Sequence, residues 1–93
     1  MPTFALIYHV VPDYIARRAA FRDDHIRLAQ AAVARGDLLM GGAFADPPDT
    51  ALLIWRVPDR AAIEEFVAFD PYVANGLVTT WEIREWTVVI GAP

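Results

Sequence analysis

Three residue types are missing from the 93-residue sequence: cysteine, lysine and serine. Their absence excludes disulfides, thiolate and Schiff-base chemistry, serine nucleophiles and a phosphate loop ending in Lys-Ser/Thr. The groups left for chemistry include two histidines, twelve carboxylates and three tyrosines. The chain is therefore equipped for proton transfer rather than for covalent catalysis by the common nucleophiles.

The charge and hydropathy of the chain exclude several classes of partner. A net charge of −4, with all eight positive charges on scattered arginines, argues against nucleic acid. No apolar run approaches the ~18 residues that span a bilayer, and no signal segment opens the sequence. We expect a soluble, cytoplasmic protein. No histidine pair has helical metal-ligand spacing, so we expect no metal site. We also expect no other cofactor.

Hydrophobic periodicity and turn residues predict six main elements in one domain over residues 1–93. Strands are predicted over 3–11, 37–44, 51–57 and 77–90, and helices over 14–35 and from 58 onward. Asp13 and Gly36 supply the start and stop signals of the first helix. The order βαββαβ indicates an α+β ferredoxin-like fold, in which two helices cover one face of a four-stranded antiparallel sheet.

The other face of this sheet requires a cover. A strand with one solvated face alternates apolar and polar residues, but Phe4–Tyr8 and Leu52–Trp55 do not alternate. No residues remain to cover them. We therefore expect a homodimer that packs sheet against sheet into a dimeric α/β barrel.

His25 stands where the first helix should carry a leucine, on the apolar stripe of Tyr14, Phe21, Leu28 and Ala32. Such a histidine is either a buried structural group or an acid/base with a shifted proton affinity. Acid–base use requires a carboxylate that orients the ring.

Asp70 could be that carboxylate, although Asp70 followed by Pro71 also predicts the cap of a short helical turn closed by Asn75-Gly76. The two roles are compatible, because one carboxylate oxygen could cap while the other meets the imidazole.

Other residues could complete a ligand site. Arg22 precedes His25 by one helical turn and either pairs with a surface carboxylate or anchors an anionic group of a ligand. Tyr72 either lines the same cleft or packs. Gly42, in the second strand, lets a backbone or ligand approach closely. For His9, a strand-end or interface position is favoured over catalysis.

Several motifs together resemble the YciI-like, or YCII-related, proteins over essentially the whole chain. They are Arg22-x-x-His25, Gly36-Asp37-Leu38, Gly41-Gly42, Asp70-Pro71-Tyr72, Gly76-Leu77 and Glu85-Trp86. The resemblance implies a dimeric ferredoxin-like barrel in which His25 and Asp70 meet in a pocket as the catalytic pair. A branch of the family removes chloride from a chlorinated hydroxyquinone, and the wider fold includes lactone isomerases. The family often has Gly-Pro where this chain has Gly42-Ala43, which affects the pocket rim.

These observations lead to one main expectation and two alternatives. The main one is a homodimeric enzyme without a cofactor, in which His25 is the general acid/base, Asp70 orients it, and Arg22, Tyr72 and Gly42 bind a small cyclic or carbonyl-bearing metabolite. Lyase, dehydrochlorinase or isomerase chemistry suits these groups. The alternatives are a non-catalytic ligand-binding or interaction module, and a cofactor-free or haem-linked oxygenase on the same fold.

Overall fold

A computed structural model describes residues 1–92, and these form four strands and four helices. The strands are β1 (Thr3–Val10), β2 (Leu38–Ala43), β3 (Thr50–Arg56) and β4 (Val78–Glu85). The helices are α1 (Tyr14–Arg18) and α2 (Arg22–Ala34) between β1 and β2, and α3 (Ala61–Phe69) and α4 (Pro71–Ala74) between β3 and β4. The predicted alternation of strands and helical segments is confirmed, with each predicted helical region divided in two.

The four strands form one antiparallel sheet in the order β2-β3-β1-β4. β1 lies between β3 and β4, with Leu6 opposite Leu53 on one side and Ile83 on the other. This is the four-stranded antiparallel sheet of an α+β ferredoxin-like fold, as predicted. β3 and β1 are therefore the two central strands, and β2 and β4 are the edges of the sheet.

Alternate residues of the central strands face the helices and form the core. On β1 these are Phe4, Leu6 and Tyr8, all buried, and on β3 the fully buried Trp55 packs edge-on against Phe66 of α3, with ring centroids 5.0 Å apart. Period-two alternation therefore separates the two faces of the sheet. Burying each such large side chain contributes roughly 1.5–3 kcal/mol.

The opposite face of the sheet carries apolar residues without helices over them. Ala5, Ile7 and Leu52 on this face are only partly buried, and Met40 of the edge strand β2 is 54% exposed. The structure describes one chain, so the expected dimeric barrel stays a prediction.

The first helical region differs from the prediction of one continuous helix over 14–35. The backbone N–H of Phe21 donates to the carbonyl of Arg18 (2.9 Å), which closes a short turn and ends α1 before α2 begins. Nothing local signals this break, because Ala19 and Ala20 are strong helix formers. Phe21 packs against the core from this turn, so tertiary packing overrides helix propensity.

The last strand ends at Glu85, five residues before the predicted end at Ile90. Its neighbour β1 begins at Thr3, and the Trp86 N–H to Thr3 carbonyl hydrogen bond (2.8 Å) is the last contact of this ladder. Residues 87–90 have strand-forming side chains and no neighbouring strand, which is why their β propensity is not realised. No helix within residues 1–92 has the length and apolar character needed to cross a membrane.

Candidate functional site

Asp70 lies at the junction of α3 and α4, where its backbone is extended (φ −75°, ψ 118°) and its side chain caps α4. The cap is a hydrogen bond of 3.0 Å from the Tyr72 N–H to Oδ1 of Asp70, and Pro71 occupies the first turn. The predicted capping role is thus confirmed. The same geometry turns the carboxylate inward, since Asp70 is 0% exposed.

The buried carboxylate has two further partners from distant parts of the chain. Nδ1 of His25 lies 2.8 Å from Oδ1, and the hydroxyl of Tyr8 donates to Oδ2 at 2.8 Å. The expected division, with one oxygen for the cap and the other for the imidazole, is therefore wrong. Oδ1 takes both because Oδ2 is occupied by Tyr8. With three donors around it, the buried carboxylate is fully satisfied.

The bonding of Asp70 assigns the proton on the imidazole of His25. A carboxylate only accepts hydrogen bonds, so Nδ1 carries the proton and Nε2 of the neutral ring holds a lone pair. No hydrogen bond to Nε2 is formed by any residue from 1 to 92. The side chain is 14% exposed and lines a cavity. Nε2 is consequently available to accept or return a proton.

Aromatic rings hold the imidazole in place. The Tyr72 ring stacks on it with centroids 3.9 Å apart and an interplanar angle of 9°, and Phe66 approaches with its centroid at 6.4 Å and an angle of 69°. Stacking on Tyr72 and the hydrogen bond to Asp70 together fix the plane and the direction of the ring. A general acid/base requires such fixed geometry.

Tyr8, which contacts Asp70, and Tyr72, which stacks on His25, both remain protonated around neutral pH. Burial raises the pKa of Tyr8, and the nearby charge of Asp70 and the hydrogen bond to it act in the same direction. Burial also raises the pKa of Tyr72 to about 12, while the positive charges of Arg18 and Arg22 oppose that shift. Tyr8 therefore acts as a permanent donor to Asp70.

The cavity beside His25 lies between the first two helices and strands β2 and β3, with a volume of about 330 Å³. Its wall is mostly apolar, and its polar lining comes mainly from tyrosines, arginines and the imidazole. The lining includes Tyr8, Tyr14, Arg18, Arg22, His25, Ala29, Gln30, Val33, Leu38, Gly41, Gly42, Leu53 and Tyr72. Such a volume is at the small end of ligand pockets, which run from roughly 300 to 1,000 Å³.

Of the residues expected to bind a ligand, Arg22, Tyr72 and Gly42 all line this cavity. Tyr72 also packs, since it is 2% exposed. A Cβ added to Gly42 would meet nothing within 4 Å, whereas one added to Gly41 would lie 3.3 Å from Cγ of Leu53. A side chain would therefore be crowded at Gly41, whereas Gly42 has room for one.

His9 lies away from this cluster. It is exposed near the end of β1, opposite Thr50 and Thr80. Within residues 1–92, no group of three His, Cys, Asp or Glu side chains could hold a metal ion.

Sequence reasoning missed two residues of the site, Tyr8 and Arg18. Tyr8 alternates with Phe4 and Leu6 on the core face of β1, so its pattern indicated packing, and the register that brings its hydroxyl to Asp70 is not local. Arg18 lies four residues before Arg22, and this i,i+4 spacing was the available signal.

Comparison with solved structures shows the same fold in proteins of several kinds. The 5-chloro-2-hydroxyhydroquinone dehydrochlorinase TftG from Burkholderia phenoliruptrix AC1100, in complex with 2,5-dihydroxybenzoquinone, superposes with a TM-score of 0.76 at 16% identity, covering 91% of this chain and 93% of that one. A NIPSNAP family protein from Agrobacterium tumefaciens has a TM-score of 0.62 at 17% identity, covering 98% and 95%. An antibiotic biosynthesis monooxygenase has a TM-score of 0.60 at 17% identity, covering 97% and 100%. These likenesses establish the fold.

The sequence itself points to one family. No curated protein sequence matches the chain significantly. Residues 1–87 match the profile of the YCII-related domain, which is nearly the full length and includes the His25 and Asp70 motifs. The chain therefore belongs to the family of proteins with a YCII-related domain.

Proposed function

We propose that this protein is an enzyme in which Nε2 of His25 is the general acid/base and Asp70 orients the imidazole. The observation that supports this most is the 2.8 Å contact between His25 and a completely buried Asp70, at the wall of a cavity that His25 lines. The substrate is a small cyclic or carbonyl-bearing metabolite, with Arg22 binding its anionic group and with Tyr72 and Gly42 on the cavity wall.

The proposed chemistry is proton transfer without a covalent intermediate. Nε2 takes a proton from the substrate, and the imidazolium that forms is stabilised by the negative charge of Asp70 at Nδ1. The proton is then returned to another atom of the same molecule, as in an isomerisation, or passes to water while an anion leaves, as in the loss of HCl. Neither route requires an oxidant or reductant.

The dehydrochlorinase from B. phenoliruptrix supports the elimination form of this proposal. That protein has the same fold and is named for removing HCl from 5-chloro-2-hydroxyhydroquinone, a small ring. Removal of HCl consists of the loss of one proton and one chloride ion, which matches a single acid/base in a small cavity. Dehydrochlorination is therefore the first reaction to test.

Chloride release from 5-chloro-2-hydroxyhydroquinone is the direct assay. We expect wild-type turnover, a decrease in kcat/KM of roughly 10²–10⁴-fold in His25→Gln, and a smaller decrease in Asp70→Asn. His9→Gln is the matched control, because it removes the other histidine, which is exposed away from the cavity. Equal activity of His25→Gln and wild type would overturn the proposal. Binding of this ring without turnover by the wild type would favour the non-catalytic module.

We also propose that the protein is a homodimer joined through its open sheet face. That face has an apolar centre, including Ile7 and Leu52, and a charged margin on β4, where Glu82 lies opposite Ile7 and Arg84 opposite Ala5. Neither charge forms an ion pair within residues 1–92. A two-fold interface brings together the same surface patch of two protomers. A patch that carries both Glu82 and Arg84 is therefore complementary in charge to its own copy.

Sedimentation equilibrium tests the dimer. We expect twice the 10.4 kDa mass of the chain at micromolar concentration, and dissociation in Ile7→Asp, which puts a charge in the apolar centre. Ala68→Asp, on the exposed side of α3, is the matched control. A wild-type monomer would refute the proposed interface.

A further inference from the structure

Two arginines line the cavity on either side of the break between α1 and α2. Arg18 is the last residue of α1, Arg22 is the first of α2, and both contribute to the wall of the cavity that His25 lines. Within residues 1–92 neither has an acidic partner. By contrast, four other arginines pair with Asp or Glu side chains: Arg17, Arg27, Arg35 and Arg60.

The charges of these two arginines act on the same part of the cavity. Both lower the pKa of the Tyr72 hydroxyl against the larger effect of burial, so both lie near it. The guanidinium of Arg18 lies over the Tyr14 ring, 5.4 Å from its centroid, and Tyr14 meets Tyr72 edge-on at 5.7 Å. His25 stacks on the Tyr72 ring. The two cations and the imidazole therefore border one tyrosine.

The charge of the cavity is unbalanced. No acidic side chain of residues 1–92 belongs to its lining. The buried Asp70 behind His25 supplies one negative charge against the two arginines, which leaves a charge of +1 while the imidazole is neutral. Guanidinium groups bind carboxylates and other oxyanions through parallel hydrogen bonds. One negative charge on a ligand would complete the balance.

The remaining wall of the cavity is apolar and the space is small. Leu38, Leu53, Val33 and Ala29 supply aliphatic surface in a volume of about 330 Å³. An apolar wall next to two cations suits a flat ring with a charged edge, and a cavity of this size suits one ring rather than two.

We propose that Arg18 and Arg22 form an anion-binding site that selects single-ring monoanions, such as an enolate, a phenolate or a ring carboxylate. The charged oxygen lies between the two guanidiniums and the ring lies along the aliphatic wall, near Nε2 of His25. This substrate class rests on the proposed acid–base function and extends it: Arg18 joins Arg22 as an anchor, and the break in the helix separates the two.

Binding of two ring monoanions, benzoate and salicylate, tests the site by NMR titration of backbone amides. We expect saturable binding to the wild type and a roughly tenfold higher Kd in both Arg18→Gln and Arg22→Gln, which corresponds to about 1.4 kcal/mol. Benzyl alcohol, an uncharged ring of similar size, should bind at least ~tenfold more weakly than benzoate. Affinity for the anions should fall as salt is raised.

Arg27→Gln is the matched control, since Arg27 is an exposed arginine of α2 paired with Asp24 and outside the cavity lining. We expect it to bind benzoate as the wild type does. Amide dispersion in the same spectra shows whether each variant is folded. Equal benzoate affinity in wild type and Arg18→Gln, or no saturable binding of either anion to the wild type, would overturn the anion site. The acid–base proposal would then still stand or fall on the His25→Gln and Asp70→Asn comparison, which uses no anion probe.

Discussion

Replacing Tyr8 by Phe removes one hydroxyl and keeps the ring, so it isolates the hydrogen bond to Asp70. That hydroxyl donates to Oδ2 at 2.8 Å, and Tyr8 and Asp70 are 1% and 0% exposed. Water therefore has no access to replace the lost donor. A hydrogen bond to a charged group contributes about 1.5–3 kcal/mol, so we expect Tyr8→Phe to lower the free energy of unfolding by about 2 kcal/mol.

Urea unfolding followed by tryptophan fluorescence measures this loss, with all variants at one protein concentration because the stability of the proposed dimer would depend on concentration. Tyr14→Phe is the matched control, since Tyr14 is 5% exposed and its hydroxyl forms no hydrogen bond with any residue from 1 to 92. We expect the control to lose about 0.5 kcal/mol or less. An equal loss in the two variants would refute the view that Tyr8 holds the carboxylate of Asp70.

Two further predictions concern Tyr72 and the paired glycines. Burial raises the pKa of Tyr72 from 10.0 to about 12, so the folded form binds more protons between these values. Protonated Tyr72 should therefore contribute stability below pH 10 that is lost as pH rises through this range. Tyr72→Phe should flatten the fall, measured as urea midpoints at pH 9 and 11; an unchanged slope would contradict this. Gly41→Ala places a Cβ 3.3 Å from Cγ of Leu53 and should cost about 1 kcal/mol. Gly42→Ala meets open space and should leave thermal stability unchanged or slightly raised; equal melting temperatures of the two variants would contradict the assignment.

The order of elements could be predicted from the sequence because its signals are local. Pro12-Asp13 and Gly36 bound the first helical region, and apolar runs of strand length surround it. The cap at Asp70 is equally local, since the residue before a proline favours the extended backbone observed there. Each of these features depends on residues only a few positions apart.

The break at Ala19–Ala20 and the end of β4 could not be predicted, because both depend on distant parts of the chain. Local propensity favours a continuous helix, and Phe21 packs against the core instead. Likewise, residues 87–90 have strand propensity, but β1, the strand with which they would have to pair, begins at Thr3 and is already used up at Trp86.

The residues of the candidate site also divide into those that a local signal indicates and those that depend on distant parts of the chain. The sequence indicates His25 because a polar residue on an apolar stripe conflicts with the helical pattern. Its pairing with Asp70, 45 residues away, was predicted from the family resemblance. Tyr8 gave no such conflict, because a tyrosine fits a core pattern and only the register of β1 shows what its hydroxyl contacts. No residue near Tyr8 in the sequence therefore indicates the role of its hydroxyl, because its partner Asp70 lies 62 residues away.

The most direct test of the central claim is the tautomer of His25, read from the ¹⁵N chemical shifts of its ring nitrogens. The hydrogen bond to Asp70 predicts that the neutral form of the ring carries its proton at Nδ1 and a lone pair at Nε2, the atom proposed to act as the acid/base. We expect Asp70→Asn to shift the population towards the Nε2-protonated tautomer that free imidazole side chains favour. His9, the other histidine of the chain, provides an internal reference in each spectrum and should not respond. A wild-type His25 protonated at Nε2 in its neutral form, or a tautomer indifferent to Asp70→Asn, would contradict the account.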